Sequence, residues 1–374
     1  MKILYLANHL NIGGITSYLF SLARGMKARG ERVYLASSGG EREEDFIAEG
    51  IRCIRVPLGT KSEASPKILF SFLQLLPLIK ENEIDIIHCN TRVTQVLGAL
   101  LARFSGRPYI SRCHGFFKKR FSRLVFPCWG KKVIAISEAV RNHLVEDFKV
   151  SPEDIRVIHN GIDLERFQVK IKKDFGLGPG PVVGIIARLS DVKGHAYLIQ
   201  AMPEVLTRIP AVKLLIVGDG KTKDELVNMV ERLGLAGSVS FLPSLRDTRE
   251  ALSLMDVFVL PSLKEGLGLS LMEAMAAGLA VIGSDVGGIR NLIQHGQNGI
   301  LVAAQDVHQL ARAILELLGD RNKREYLGNN AREFIRDNFS LEKMIVETQE
   351  VYAQCLKRSK KIRTAKYAET HPGI

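Results

Sequence analysis

Glu265 and Glu273 stand with seven residues between them in PSLKEGLGLSLMEAMAAGLAVIGSDVGG, residues 261–288, and their surroundings decide what two acids could do there. Upstream, Asp256 to Leu260 (DVFVL) reads as a buried strand of a parallel sheet, being short, continuously apolar and β-branched. Gly266 and Gly268 permit a turn that side chains would block, and Leu269 to Ala277 follows with helix formers at helical spacing until Gly278. A strand, a glycine turn and a helix N-terminus make an anion site, because first-turn N–H groups lack intrahelical partners. Phosphate alone would be repelled by both carboxylates. Carboxylates do accept hydrogen bonds from vicinal hydroxyls, as an acid on a ribose does in dinucleotide folds. Taken singly, either Glu reads as well as a solvated surface acid. Together, and in this turn, they suit a ligand carrying both a diphosphate and sugar hydroxyls, a nucleotide sugar.

Two cations point the same way. Arg188 follows the strand Val182 to Ala187, and Lys193 precedes a helix from His195 to Ile209, which places both at the mouth of a sheet. A hydrogen bond to a charged group contributes about 1.5–3 kcal/mol. An exposed helix N-terminus contributes about 0.3–1 kcal/mol, so the two side chains would outweigh the dipole at any anion bound there. No DxD occurs, so a metal-bridged diphosphate is not encoded in the usual way, and neither metal nor cofactor is expected.

The elements that must hold these residues come in two alternating sets. Lys2 to Ala7, Arg32 to Ser37, Ile51 to Val56, Asp85 to Cys89, Pro108 to Arg112, Lys132 to Ser137 and Arg156 to His159 read as strands. Helical patterns lie between several of them, notably Ile15 to Arg29, Pro66 to Asn82, Val93 to Phe104 and Glu138 to Phe148. That is one doubly wound parallel sheet. Residues 182–187, 214–217, 238–242 and 256–260 repeat the architecture. Helices from about Asp306 to Leu318, Lys323 to Phe339 and Leu341 to Cys355 close the chain. Asn11-Ile12-Gly13-Gly14 turns the first strand into its helix but carries no GxGxxG, so it fails as a dinucleotide fingerprint; two glycines there equally suit a tight turn. His114-Gly115 lies just past a strand's carboxyl end, where open α/β sheets place ligands.

PSxxEGxGLxxxEAMAxG followed by Gly287-Gly288, the pair Arg188 and Lys193-Gly194, and Asn160-Gly161-Ile162-Asp163 with Phe167 together resemble the retaining GT-B glycosyltransferases of family 4, the glycosyl transferases group 1. The departures are Leu267, Ala280 and Asn291, where the family commonly has Phe, Pro and Glu, and Pro243 in place of a usual Gly. They leave donor identity open. The resemblance implies two Rossmann-like parallel-sheet domains flanking an interdomain cleft, with a C-terminal crossover helix. It divides the chain into an acceptor domain, 1–165, and a donor domain, 166–344, with 345–374 packing back on the first. It implies that Glu265 and His114 contact the donor sugar, that Glu273 contacts the ribose, and that Gly266, Leu267, Gly268 and Leu269 offer backbone to sugar and phosphate. Arg188 and Lys193 would bind the diphosphate, Gly13 and Gly14 would let the backbone approach the donor phosphates and acceptor, and Arg246 would line the base pocket. It implies retention, with Glu265, His114, Arg188 and Lys193 catalytic and no protein nucleophile.

Bulk properties bound the rest. A chain of 374 residues with 46% hydrophobic and 25% charged residues is an ordinary α/β composition, long enough for two domains. The N-terminus reads as a strand without a cleavable signal, and the most apolar run, Ile68 to Ile79, is too short to span a bilayer and contains Pro77. Five cysteines without CxxC spacing argue for a reducing cytoplasm. The net charge of +12 is uneven: residues 1–170 hold 26 Lys and Arg against 17 Asp and Glu, and Lys357 to Lys366 adds six cations. A lysine-rich run to Lys173 and GLGPGP at 176–181 read as the boundary between halves.

Residues 115–132, GFFKKRFSRLVFPCWGKK, interleave Phe116, Phe117, Phe121, Val125, Phe126 and Trp129 with Lys118, Lys119, Arg120, Arg123, Lys131 and Lys132. Such a stretch suits a membrane interface, single-stranded nucleic acid, or a helix with its aromatics inward and a solvated basic face. Each Lys or Arg near an anionic leaflet adds about 1 kcal/mol. The expectation is peripheral contact with the inner face of the cytoplasmic membrane through 116–132 and 357–366, and no nucleic acid. The function expected is transfer of a hexose or related sugar from a nucleotide-diphosphate sugar, a UDP-sugar favoured, to an envelope or lipid-linked glycan, lipopolysaccharide core included. A nucleotide-sugar 2-epimerase of the same fold would turn over donor without acceptor. A basic nucleic-acid-binding protein would leave Glu265 and Glu273 without a purpose.

Overall fold

The computed structural model describes residues 1–168, 171 and 175–370, without side chains beyond Lys357. It divides into two compact units, residues 1–161 joined by the chain from Leu341 onward, and Ile162–Ser340. The first division falls at 161/162 rather than 165/166, because Ile162 N–H donates to the Phe339 carbonyl at 2.8 Å and Phe167 is buried in the second unit. Arg249 Nη1 also donates to the Arg166 carbonyl at 2.9 Å. The second falls at 340/341 rather than 344/345, since Met344 and Ile345 join the first core. The lysine-rich run to Lys173 lies, apart from Ile171, outside the described residues.

In the first unit β1 (Lys2–Leu6), β2 (Arg32–Ser37), β3 (Arg52–Arg55), β4 (Ile86–Cys89), β5 (Tyr109–Cys113), β6 (Val133–Ala135) and β7 (Ile155–Val157) form one sheet in the order β3-β2-β1-β4-β5-β6-β7. Every pairing is parallel, with Ile3 opposite both Val33 and Ile86. Alternate residues of β1 enter two separate cores, Ile3 and Tyr5 one and Leu4 and Leu6 the other, so this central strand is buried on both faces. The long helix Leu341–Thr370 returns to pack on Gly14–Ala28. Contact is close because a Cβ on Gly25 would fall 2.0 Å from the Ile345 Cδ1. Arg29 pairs with Glu342 and donates to Gln349 at 2.7 Å, and Tyr352 reaches the buried His88 Nδ1 at 2.6 Å.

The second unit repeats the plan with six strands: β8 (Val182–Ile186), β9 (Lys213–Val217), β10 (Val239–Leu242), β11 (Val257–Leu260), β12 (Ala280–Ser284) and β13 (Ile300–Val302). Their order is β10-β9-β8-β11-β12-β13, again all parallel. In both sheets the winding reverses once, between β1 and β4 and between β8 and β11. At such a switch point the loops leave the strand ends in opposite directions and open a crevice for a ligand. Among the described residues no helix is long and apolar enough to cross a membrane.

Candidate active site

The switch point of the second sheet is flanked by the loop after β8, residues 187–194, and the loop after β11, residues 261–268. These loops are held by backbone fit. Gly194 sits at φ 75°, and a Cβ there would lie 1.9 Å from the Pro261 carbonyl, so only glycine lets the loops touch. Leu263 N–H then donates to the Val192 carbonyl at 2.8 Å. On the other side Gly288 N–H donates to the Glu265 carbonyl at 3.0 Å. A Cβ on Gly288 would fall 2.1 Å from the Gly266 carbonyl, and one on Gly287 2.3 Å from that of Glu265. The Gly-Gly after β12 is thus the floor against which the Glu265 turn rests.

That packing brings Lys193 and Glu265 into a direct ion pair, with side chains only 22% and 12% exposed. Ser262, fully buried, donates to the same carboxylate at 3.4 Å, and Gly266 N–H approaches its other oxygen at 3.2 Å. Glu265 is therefore fixed in place. Gly268, at φ 93°, caps the helix Leu269–Ala276 without a side-chain hydrogen bond and with no acid in the first turn. The N–H donors of that turn are left for a ligand. Glu273 lies one turn in and is half-buried. Leu267 is 1% exposed, so only its backbone can serve a ligand.

Arg188 is exposed on the same β8 loop and makes no ion pair among the described residues. Arg246 is exposed on the loop after β10, two strands from β8 in the sheet. The two loops are tied by Asp219, whose carboxylate accepts from Ser244 N–H at 2.7 Å and whose carbonyl accepts from Leu189 N–H at 2.9 Å. Asp219 and Ser262 escaped sequence reasoning, although Gly218-Asp219-Gly220 is a legible turn. A Cβ on Gly220 would be 2.0 Å from the Leu189 carbonyl, which is what that glycine is for.

His195, the first residue of the next helix, is buried, and burial and then the Lys193 charge lower its pKa to about 4. A neutral ring in the fold that charges more readily when unfolded makes folding stability fall as pH drops from about 6.5 towards 4. The loss saturates below that, at up to about 3 kcal/mol. In His195→Gln, chemical denaturation between pH 7 and 4 is expected to show a shallower acid limb; an unaltered pH dependence would refute the assignment.

In the first unit Gly13 and Gly14 are exposed after β1, and a Cβ on Gly13 would meet nothing within 4 Å. His114 follows β5, its Nε2 3.2 Å from Asn90 Oδ1 and its ring 4.8 Å from that of Tyr18. Burial, then the Arg112 charge and the neighbouring His88 ring, hold its pKa well below the ordinary histidine range, so the ring is neutral at pH 7. Arg112 was not singled out by its sequence context. It is fully buried, its guanidinium 4.2 Å over the Tyr18 ring, and its Nη2 donates to the Ile158 carbonyl and to Asn160 Oδ1, both at 2.9 Å. Asn160 of the NGxD stretch is therefore an acceptor for a buried cation.

The basic aromatic stretch divides. Phe117, Trp129 and Phe148 form an inward cluster, with ring centroids 5.6–6.3 Å apart. The short helix Phe121–Val125 instead presents Phe121, Leu124 and Val125 outward, with Phe126 beyond it. Of the cations, Lys119 pairs with Asp147 at 2.8 Å, Lys132 with Asp154 at 3.0 Å, and Lys131 donates to the Cys355 carbonyl at 3.2 Å. Lys118 and Arg120 are exposed. Of the tail cations only the Lys357 side chain falls within the described residues.

The model of Glycosyltransferase Family 4 matches residues 12–166, and that of Glycosyl transferases group 1 matches 167–334. An uncharacterized glycosyltransferase of Methanocaldococcus jannaschii is 29% identical, covering 91% of this chain and 94% of that protein. The UDP-Gal:alpha-D-GlcNAc-diphosphoundecaprenol alpha-1,3-galactosyltransferase of Escherichia coli is 28% identical, covering 82% of this chain and 85% of its own. Among solved structures, Anabaena HepE in complex with UDP-glucose superposes with a TM-score of 0.82 at 24% identity, over 95% of this chain and all of that one. Twin parallel sheets wound about matching switch points, together with two family models that meet at residues 166 and 167, place this chain among the GT-B glycosyltransferases of family 4, the glycosyl transferases group 1.

Proposed function

We propose that the protein moves a hexose or related sugar from a nucleotide-diphosphate sugar, a UDP-sugar in preference, to a glycan or glycolipid of the cell envelope, a lipopolysaccharide core saccharide being one such acceptor. The observation that carries this reading is the Lys193–Glu265 pair beside a helix N-terminus that no side chain caps, at a sheet switch point. Each member of the pair has a ligand group to exchange for the other. Lys193 takes a diphosphate oxygen, and Glu265 accepts the sugar hydroxyls. Arg188 adds a second cation to the diphosphate, Arg246 lines the base pocket, Glu273 accepts from the ribose, and the Gly266–Leu269 backbone meets sugar and phosphate. A relative named for a UDP-Gal donor and a structure holding UDP-glucose favour uridine.

In the reaction proposed, the bond from the anomeric carbon to the diphosphate breaks while the acceptor oxygen bonds on the same face. The acceptor proton passes to the departing phosphate oxygen, so configuration is retained without a protein nucleophile. Fixed cations and N–H dipoles aimed at developing charge do the work a metal would do elsewhere. Neutral His114 hydrogen-bonds the sugar, and the Gly13-Gly14 backbone approaches phosphate and acceptor. An acceptor borne by lipid, as the name of the Escherichia coli relative states for that enzyme, would bring the protein to the inner face of the cytoplasmic membrane through residues 116–132 and 357–366.

Thermal unfolding with UDP-, GDP- and ADP-sugars in the presence of EDTA tests donor and metal together. A UDP-sugar is expected to raise the melting temperature by several degrees, with labelled sugar passing to a lipid extract and no epimer formed without acceptor. No shift with any nucleotide sugar, or turnover only when a divalent metal is restored, would overturn the respective part.

A further inference from the structure

The first unit contains a cavity of about 210 Å³ lined by Lys61, Glu63, Arg92, Lys118, Arg120 and Arg123, with Phe116 and Phe117 as its apolar walls. Five cations face one carboxylate. Arg92 is 7% exposed at its side chain; it donates to the Phe126 and Pro127 carbonyls at 2.6 and 2.5 Å and pairs with Glu63 at 3.0 Å. Its Nε has no hydrogen-bond partner. Arg123 lies over the Phe117 ring at 4.6 Å, within 3.6 Å of Glu63, and its buried Nε and Nη1 make no hydrogen bond. Lys61, Lys118 and Arg120 stand exposed at the mouth with no acidic partner among the described residues.

A structural Glu63 bridge would need two arginines, and the three further cations would then crowd the same opening at an electrostatic cost. An anion with several oxygens at that opening would relieve the repulsion through charge-assisted hydrogen bonds. Beside the cavity Phe121 is 81% and Phe126 67% exposed, an apolar collar next to a cationic hole. We infer that this cavity is a phosphate-ester site, which holds the phosphate of a phosphorylated or lipid-phosphate-linked acceptor. Assigning the phosphate to an acceptor rests on the transferase reading above, whereas the site itself does not require turnover.

The test uses the full chain with UDP saturating, so that the donor unit is occupied, and inorganic phosphate as the probe, read by ³¹P line broadening. Wild type is expected to retain phosphate binding under UDP. Lys61→Ser/Lys118→Ser/Arg120→Ser is expected to weaken it roughly tenfold or more with UDP affinity unchanged. Glu63→Gln, which removes the competing carboxylate, is expected to tighten it. Loss of all phosphate binding under UDP, or equal affinity in the triple variant, would overturn the proposal while leaving the donor reading intact. Phosphatidylcholine vesicles with and without a polyprenyl phosphate then separate the sources. Selective capture by the polyprenyl phosphate, competed by inorganic phosphate and lost in the triple variant, assigns a lipid-linked ligand. Phosphate binding without vesicle capture assigns a soluble ester.

Discussion

In Glu265→Gln, UDP is expected to bind about tenfold more tightly while sugar transfer falls by roughly two to three orders of magnitude. Both effects come from the ion pair. Its two side chains are mostly withdrawn from solvent, so Lys193 is compensated by Glu265 before any ligand arrives. A diphosphate must compete with that carboxylate for the ammonium group. Removing the charge leaves Lys193 with an unmet electrostatic demand that UDP fills, and the variant should be less stable by about 1–3 kcal/mol until it does. Transfer fails for a separate reason, since an amide is a poorer acceptor for the sugar hydroxyls that position the anomeric carbon. The readouts are titration calorimetry with UDP and single-turnover transfer from the UDP-sugar. A variant that binds UDP no better and transfers normally would reduce Glu265 to a structural neutraliser of Lys193.

Read from sequence as a hydroxyl acceptor alone, Glu265 would carry no folding role, and the ion pair with Lys193 gives it one. Sequence spacing put Lys193 on one loop and Glu265 on another, with 71 residues between them. Only the strand order β8-β11 makes those loops neighbours. Parallel pairing is non-local, so no local pattern announces it. What could be read locally was each loop's chemistry: glycines at a turn, a cation after a strand, an acid before a helix.

The same distinction explains the elements. Long periodic segments were legible to within a residue or two, as with the helices Glu138–Phe148 and Pro66–Glu81. Strands β12 and β13 were not assigned. Ala280–Ser284 follows a helix with only Ala277, Gly278 and Leu279 between, and its Gly283 weakens the strand pattern. That glycine is there because a Cβ would fall 2.7 Å from Ile289 Cγ2. The three residues of Ile300–Val302 are too few for a period. The last helix was expected to stop near Cys355, where the apolar face ends, yet it runs to Thr370. The sequence continues there without Gly or Pro but carries no apolar stripe at helical spacing to show the helix.

Residues 116–132 were read as one interleaved patch, and the fold sorts them by partner. The inward cluster with Phe148 takes Phe117 and Trp129 out of the apparent interface, and Lys119, Lys131 and Lys132 are tied to nearby acceptors. An account based on six free cations near a leaflet would therefore overstate electrostatic attraction. The exposed Phe121, Leu124, Val125 and Phe126 would have to supply more of any membrane affinity through apolar burial. Sequence alone cannot apportion the two, because inward and outward aromatics look identical until a helix gives them a direction.

The diphosphate assignment predicts unequal losses at its two cations. Arg188 is exposed and carries no internal ion pair, so Arg188→Ala should remove only its contact with the departing diphosphate, costing about a hundredfold in kcat with little change in stability. Lys193→Ala does more, because it strands the Glu265 carboxylate, 12% exposed, beside the place where phosphate must sit. UDP affinity should then fall along with turnover, and the combined loss in kcat/KM should exceed that of Arg188→Ala by roughly tenfold. A double variant separates the causes. Lys193→Ala/Glu265→Gln should bind UDP better than Lys193→Ala, since the repelling charge is gone, yet remain inactive in transfer. Additive behaviour in that cycle would mean the pair is not coupled through the ligand. Unchanged kinetics in both Arg188→Ala and Lys193→Ala would remove the diphosphate from this end of the sheet.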